Sequence, residues 1–404
     1  MSTSLLYHGF GIQGYQHVHT QYHDGAIHFR IRQDRFSLRC SECGSHQVKR
    51  RGQVMRRFRT LPIGDKPVWL ELLVPRVWCL LCGVLRQVKV GFAFWRRSYT
   101  RSFARYALGL SRHMTIKDVA RHLGVGWDLI KDIQKRHLLR RFARPKLHKL
   151  KQIAIDEISI GKGHRYLTVV LDLKSGAVVF VGDGKGAESL EPFWARLKRQ
   201  KVCLEAVATD MSPAYISAVL THVPEATLVF DRFHVTKLYN DGLSDLRRKL
   251  YHEATDLMQK QVIKGTRWLL LKNPENLDQD RQEDERLNEA LRLNQPLALA
   301  YYLKEDLRQF WEQPSKTAAA TFLEDWIARA QSAGIPFLLR FSKTLALHRR
   351  GLLAYYDYPI STGPLEGTNN KIKTMQRQAY GFRDREFFKL KILALHETRY
   401  ALVG

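Results

Sequence analysis

Apolar and polar positions change rhythm several times along the chain, and each change predicts a different kind of element. Residues 1–98 alternate short apolar and β-branched runs with Pro and Gly breaks, as in FRTLPIGDKPVWLELLVPRVWCLLC. That pattern predicts a β-rich module. From residue 99 the spacing becomes helical, in YTRSFARYALGL and TIKDVARHLGVGWDLIKDIQKRHLL, where apolar residues recur every three or four positions. A basic connector, RRFARPKLHKLK, follows with Pro145 as a breaker. Beyond 151 three strand-like runs appear, LKQIAIDEISI, YLTVVLDL and AVVFVGDG, the last two joined by a KSG turn. A helix (ESLEPFWARLKRQ), a strand (CLEAVATD), a helix (SPAYISAVLTHV) and a strand (ATLVFDRF) complete the series. Three strands and then helix–strand–helix–strand predict an α/β core with a mixed sheet. Residues 236–360 read as mainly helical, around a polar patch NPENLDQDRQEDERLNEA.

Within the second region the pattern is more specific. Thr115 can cap a helix whose apolar face is Ile116, Val119, Ala120 and Leu123. Gly124 suits a left-handed turn position, and a second helix runs through Trp127, Ile130 and Ile133. Small Ala120 permits close packing, so the segment is a helix-turn-helix candidate. Its second helix would enter a major groove, with Lys131, Lys135 and Arg136 near phosphates. An ordinary αα-hairpin fits the same spacing.

Charge sharpens this picture. The chain has 404 residues, with 66 Lys and Arg against 39 Asp and Glu, a net charge of +27. Such a field draws a protein to a polyanion, and the basic residues recur in blocks, as phosphate binding requires. No run of about 18 apolar residues predicts a membrane span. The opening MSTSLLYHGFGIQGY lacks a basic segment followed by an apolar run, so no signal peptide is expected and a cytoplasmic site is.

Five cysteines are too few for a disulfide scaffold. Four form two C-x-x-C pairs, Cys40/Cys43 and Cys79/Cys82, each followed by Gly. Two intervening residues let both thiolates turn toward one ion, and four thiolates complete a tetrahedral structural Zn²⁺ site. Cys203 falls in an apolar strand pattern and reads as core.

Three carboxylates stand out. Asp156 lies inside an apolar strand, where an acid is costly unless compensated. Asp210 closes another strand just before a helix, a place where acids project into sites but also serve as caps. Glu366 heads GPLEGTNNKIKTMQRQ, and helical spacing puts Glu366, Asn369, Asn370, Lys373 and Arg377 on one face. That face suits a metal ion beside a phosphate chain, although a solvated helix face with an acid near its N-terminus fits too. Three such carboxylates can hold two Mg²⁺ ions, about 3.5–4 Å apart, around an in-line phosphoryl displacement.

The ordered set of zinc knuckles, helix-turn-helix, AIDEISIGKGHRY, VATDMSPAY, VFDRFHVTKL and GPLEGTNNKIK resembles the DDE transposases of the ISL-three class of bacterial insertion sequences. The resemblance covers essentially the whole chain. It implies a zinc-binding module at 1–98 and a helix-turn-helix domain with a basic linker at 99–150. It further implies a ribonuclease-H-like core that begins at 151–235 and ends at 361–404, interrupted by a helical insertion at 236–360. It implies that Asp156, Asp210 and Glu366 are a DDE triad using Mg²⁺ or Mn²⁺, with Asp231 and His234 shaping the site. It also implies binding to terminal inverted repeats, strand cleavage, strand transfer into target DNA, and a homodimer or higher oligomer on DNA, at the nucleoid when DNA-bound. Two other functions share these ingredients: a zinc and helix-turn-helix regulator with an inactive core, and a structure-directed nuclease. Trp268, Trp311 and Trp326, in the insertion, could serve packing or DNA-end stacking, and core packing is the expectation.

Overall fold

A computed structural model of the chain describes residues 4–161 and 163–396. It divides into two compact units, residues 1–141 and 142–404.

The first unit opens with a short helix, α1 (Leu5–His8), and a sheet built from β1 (Tyr15–His23), β2 (Ala26–Gln33), β3 (Val48–Ile63) and β4 (Lys66–Cys79). Strand order is β1-β2-β4-β3, and β5 (Leu85–Gln87) pairs with β4. Alternation puts Phe29, Ile31, Phe58, Leu70 and Leu72 on one face, where they pack with Leu6, Phe10 and Phe92. Three helices follow: α2 (Arg101–Leu110), α3 (Ile116–Leu123) and α4 (Trp127–Phe142). Their core is Phe103, Ala107, Val119, Ala120, Leu123, Ile130 and Ile133. The Thr115 hydroxyl accepts from the Asp118 amide, capping α3. Gly124 ends α3 at φ +61°, and the Val125 amide donates to the Ala120 carbonyl. This is the turn of a helix-turn-helix. Trp127 opens α4, as the sequence reading has it, but does not join the core. It is 54% exposed, because the first turn of α4 projects beyond the helical core, which begins at Ile130.

Sheet and helices are joined through Arg59, only 3% exposed. Its guanidinium donates to the carbonyls of Val68 at 3.1 Å and of Leu123 at 3.0 Å, and lies against Phe103. Burial pushes its pKa down, while the carbonyls supply the acceptors a buried cation needs. Arg59→Met should lower the stability of this unit by about 3 kcal/mol, since it strands buried carbonyls. Chemical denaturation of wild type and variant checks it.

The second unit is built on a five-stranded sheet: β6 (Gln152–Gly161), β7 (Arg165–Asp172), β8 (Val178–Asp183), β9 (Ala206–Thr209) and β10 (Thr227–Phe230). Strand order is β10-β9-β6-β7-β8. β6, β7 and β8 are antiparallel neighbours, whereas β9 runs parallel to β6 and β10 parallel to β9. Helices α5 (Glu191–Arg199) and α6 (Pro213–His222) make the crossovers and cover one face through Phe193, Trp194, Tyr215 and Val219. This is a ribonuclease-H-like arrangement. Cys203 is exposed in the connection before β9, because that strand begins only at Ala206. The expectation that it lies in the core is therefore corrected.

A helical insertion leaves the sheet after β10. It comprises α7 (Arg232–Glu253), α8 (Leu257–Gly265), α9 (Arg267–Leu271), α10 (Glu283–Leu293), α11 (Gln295–Arg308), α12 (Lys316–Ser332), α13 (Pro336–Leu347) and α14 (Arg349–Leu353). Its core gathers Tyr239, Trp311, Trp326, Phe337 and Phe341, and the Trp326 indole donates to the Leu303 carbonyl at 2.9 Å. Trp268 is 66% exposed on α9, with Arg267 over its ring, so it is not part of this core. The chain returns as α15 (Gly363–Gln378) and α16 (Arg385–Leu393), which pack on β6 and β8.

Candidate active site and metal centres

The C-x-x-C segments fold into matching knuckles. The Cys40 amide donates to the Ser45 carbonyl and the Gly44 amide to the Cys40 carbonyl. The Cys79, Val84 and Gly83 groups repeat both bonds. Gly44 and Gly83 take φ +78° and +69°, values that a side chain would strain. The knuckles bring Cys40 and Cys82 sulfurs to 3.6 Å and Cys43 and Cys79 sulfurs to 3.5 Å. Four thiolates about 2.3 Å from one tetrahedral ion would be about 3.8 Å apart, so the set fits zinc. Backbone amides of Cys43 and Glu42 pull the Cys40 thiol down to about 6, whereas burial and the neighbouring thiols push Cys82 up, because clustered thiolates repel one another until an ion takes their charge.

The second site forms where the parallel strands end. Pairing of β6 with β9 runs through Ala154 and Ala208. Asp156 and Asp210 each stand two residues further along, Asp156 in the middle of β6 and Asp210 just past the end of β9, so register brings the two acids together where the parallel pairing stops, and the Asp210 charge acts on Asp156. The Asp210 carboxylate accepts from the Ser212 amide at 3.0 Å, at the entry to α6. Asp156 accepts from the Glu157 amide and from the Asn369 side chain of α15, both at 2.8 Å. Burial raises the Asp156 pKa to about 6; the Glu157 and Asp210 charges push it the same way, and His234 opposes them. Uncompensated carboxylates at this spot repel one another, a tension a bound cation relieves.

α15 is fixed at two levels along β6, by Asn369 on Asp156 and by Gln376 donating to the Ile160 carbonyl at 2.7 Å. Leu365, Thr368 and Ile372 face inward, whereas Glu366, Asn370, Lys373 and Arg377 are exposed. Asn369 thus differs from the sequence expectation. It is buried and not exposed beside Glu366, and its amide donates to Asp156. Among the described residues, the four cysteines are the only group of three or more such ligands whose atoms all lie within 4.8 Å of one another. Asp156, Asp210 and Glu366 do not close to that spacing.

Asp231 and His234 both border the site. Asp231 follows Phe230, which pairs with Thr209 beside Asp210. It is 2% exposed, and its carboxylate accepts from the Thr362 amide at 3.2 Å and the Thr362 hydroxyl at 2.8 Å. The insertion departs at Asp231, and α15 begins just after Thr362. One carboxylate therefore holds entry and exit of the insertion together and sets where α15 presents Glu366. Asp231→Ala should free the start of α15, since both bonds to Thr362 are lost and the buried Thr362 amide is left without an acceptor. Hydrogen exchange should show at least about tenfold lower protection in the first turn of α15, with β6 unchanged.

Two partners escaped sequence reading. Glu157 lies near Tyr215, and its pKa is raised by burial and by the Asp210 charge. Tyr215 in turn meets Thr168 at 3.2 Å, which bonds Ser189 at 2.8 Å. The only local signal was a Glu directly after Asp156. Thr362 was signalled only as a helix cap before Gly-Pro. On α4, Lys131 and Lys135 are half-buried. Arg136 packs over Phe94 at 5.5 Å, so it supports the helix as well as offering charge.

Three family models match the chain in order. A zinc-finger of transposase IS204/IS1001/IS1096/IS1165 matches residues 37–82. A helix-turn-helix domain of transposase family ISL3 matches 88–138, and a model described as Transposase matches 153–392, more than half of the chain. The chain belongs to the ISL3 transposase family. It is 35% identical over 362 residues to the transposase for insertion sequence element IS1001 of Bordetella parapertussis, covering 88% of each protein. It is 29% identical over 399 residues to the transposase for IS1557 of Mycobacterium tuberculosis, covering 91% of this chain and 87% of that one. A solved Drosophila P element transposase strand transfer complex is similar with a TM-score of 0.40 and 10% identity, over 76% of this chain and 94% of that chain. As an ISL3 transposase, the chain is an enzyme acting on DNA, with a helix-turn-helix for DNA binding and a zinc ribbon around the four cysteines. No helix among the described residues is long and apolar enough to cross a membrane.

Proposed function

We propose that this transposase cleaves DNA at the terminal inverted repeats of its insertion sequence and joins the freed ends to target DNA. Asp156, Asp210 and Glu366 would be ligands for Mg²⁺ or Mn²⁺. The observation that carries this reading is the side-by-side placement of Asp156 and Asp210, with α15 tied to Asp156 through Asn369. The donor set fits a hard divalent cation: three carboxylates, with the Asp156 pKa raised by burial first and by the Glu157 and Asp210 charges after it. Bound ions would polarise the scissile phosphate and stabilise both the attacking and leaving oxygens.

The protein's own groups do the positioning. Asn369 fixes the Asp156 carboxylate and leaves its ionised form free to face the ligand. Lys373 and Arg377, further along α15, offer exposed cations for the DNA phosphates on either side of the scissile bond. The entering water or 3′-hydroxyl gives its proton to solvent as its oxygen bonds to phosphorus, the P–O3′ bond breaks in line, and the departing 3′-oxygen takes a proton from water to become a 3′-hydroxyl. Lys131 and Lys135 on α4 would contact phosphates while the helix reads a repeat, and two repeat ends held together call for a homodimer or higher oligomer.

The test is an end-labelled duplex carrying the element's terminal repeat, incubated with protein and Mg²⁺ beside a supercoiled target. The proposal expects nicks at the repeat boundary with 3′-hydroxyl ends, then joined products. Binding with no nicking at all would point to a regulator instead. Nicking without preference for the boundary would point to a nuclease.

A further inference from the structure

Beyond the helix-turn-helix, the outer face of the N-terminal sheet carries a charge pattern that the active site does not explain. Strands β1–β4 contain ten Lys and Arg and a single acid, Glu71. Residues 1–36, which supply β1 and β2, lie outside the matched segments 37–82, 88–138 and 153–392.

Register sets out the pattern. Glu71 pairs with Arg30 on β2 and with Arg57 on β3, and Arg30 pairs with His19 on β1. A row His19–Arg30–Glu71–Arg57 therefore crosses four strands on one face. The other face is the apolar core of Phe29, Phe58, Leu70 and Leu72, so the row faces outward. Glu71 is buried beneath its neighbours, 3.1 Å from Arg57, 3.6 Å from Arg30 and 3.3 Å from His28. Arg57 and Arg30 stay 61% and 41% exposed. Arg32, two residues along the same face, is exposed and held by Gln16 at 2.9 Å. One buried carboxylate cannot neutralise three guanidiniums. It fixes the position of two and leaves the face strongly positive, which suits a rigid polyanion.

The same face leads to the DNA-reading helices. Arg59 is two residues beyond Arg57, and its guanidinium bonds the Leu123 carbonyl, next to the Gly124 turn. We infer that the outer face of β1–β4, through Arg30, Arg32 and Arg57, is a second binding surface for the phosphate backbone of double-stranded DNA, contiguous with the helix-turn-helix. A duplex lying on α4 would continue over the sheet, lengthening the bound site without reading bases.

The inference rests on the helix-turn-helix binding DNA, and the experiment separates the two. Wild type and the triple variant Arg30→Gln, Arg32→Gln, Arg57→Gln are titrated with two duplexes carrying the terminal repeat over a range of salt. One spans about one helical turn and the other about three. On the long duplex the variant should bind at least about tenfold more weakly, with the salt slope reduced by up to about 3, or about 0.9 per lost contact. On the short duplex the two proteins should match. Equal affinity and equal salt slope on the long duplex would overturn the inference, while failure of wild type to bind either duplex would overturn the helix-turn-helix reading instead. Arg32→Gln alone, which leaves Glu71 and its partners intact, should give about one third of the slope change. Its failure to do so in a protein with unchanged thermal unfolding also counts against the inference.

Discussion

Asp156→Asn, Asp210→Asn and Glu366→Gln should each abolish cleavage of repeat-end DNA, with losses of at least about a thousandfold, while DNA affinity stays near wild type. Each change keeps shape and removes one anionic ligand, and a divalent site deprived of charge loses the electrostatic stabilisation that dominates such catalysis. The three need not be equal. Asp156 accepts from Asn369 and from the Glu157 amide, so Asp156→Asn also puts an amide nitrogen where an acceptor is required and disturbs the seating of α15. Glu366 is exposed on α15, so Glu366→Gln should leave the fold untouched. Gel-shift titration and single-turnover cleavage on the same preparations separate binding from chemistry. Substantial Mg²⁺-dependent cleavage by any one variant would remove that residue from the set.

Loss of zinc should have the second-largest effect. The four sulfurs converge at the end of the long β3–β4 pair, where few apolar side chains are buried, and Cys79 itself ends β4. Binding energies of structural zinc sites, about 10–16 kcal/mol in small modules, then become folding energy. Cys79→Ser, or chelation of wild type, should drop the metal content from one zinc per chain to near zero. Both should unfold the segment around residues 37–87 in hydrogen exchange and lower repeat affinity at least about tenfold. The core of Phe103, Val119, Leu123 and Ile130 does not involve the cysteines and should keep its protection. A protein that stays folded and zinc-free in 37–87 would show that the four thiols do not form a structural centre.

Local chemistry made much of this chain readable. Thr115 and Gly124 announced the helix-turn-helix because a cap and a left-handed residue are decided within a few positions. The C-x-x-C pairs declared themselves because a knuckle is a local turn. Asp156 and Asp210 stood out as acids in or after apolar runs, and the sheet brings them together by register. What stayed hidden is long-range. The Asp231–Thr362 clamp spans 131 residues and closes an insertion that no local pattern can measure. Arg59 looked like one more basic residue in a basic strand, yet it is buried because the Leu123 carbonyl of a distant helix and the Val68 carbonyl of the adjoining strand receive it. The helical face drawn through residues 366–377 was right in period, but Asn369 turned inward because α15 packs directly on β6. Trp127, Trp268 and Cys203 fit apolar patterns but lie beyond the elements' packed parts, where hydrophobicity alone does not place a side chain.

The most direct measurement is a metal-specificity switch at Asp210. Asp210→Cys replaces a hard oxygen ligand with a sulfur that Mg²⁺ rejects and Mn²⁺ accepts. If Asp210 coordinates the catalytic ion, the variant should be inactive in Mg²⁺ and regain cleavage at the repeat boundary in Mn²⁺, relative to wild type measured in both ions. Cleavage in Mg²⁺ at the wild-type rate would contradict a divalent-metal site built on Asp156, Asp210 and Glu366.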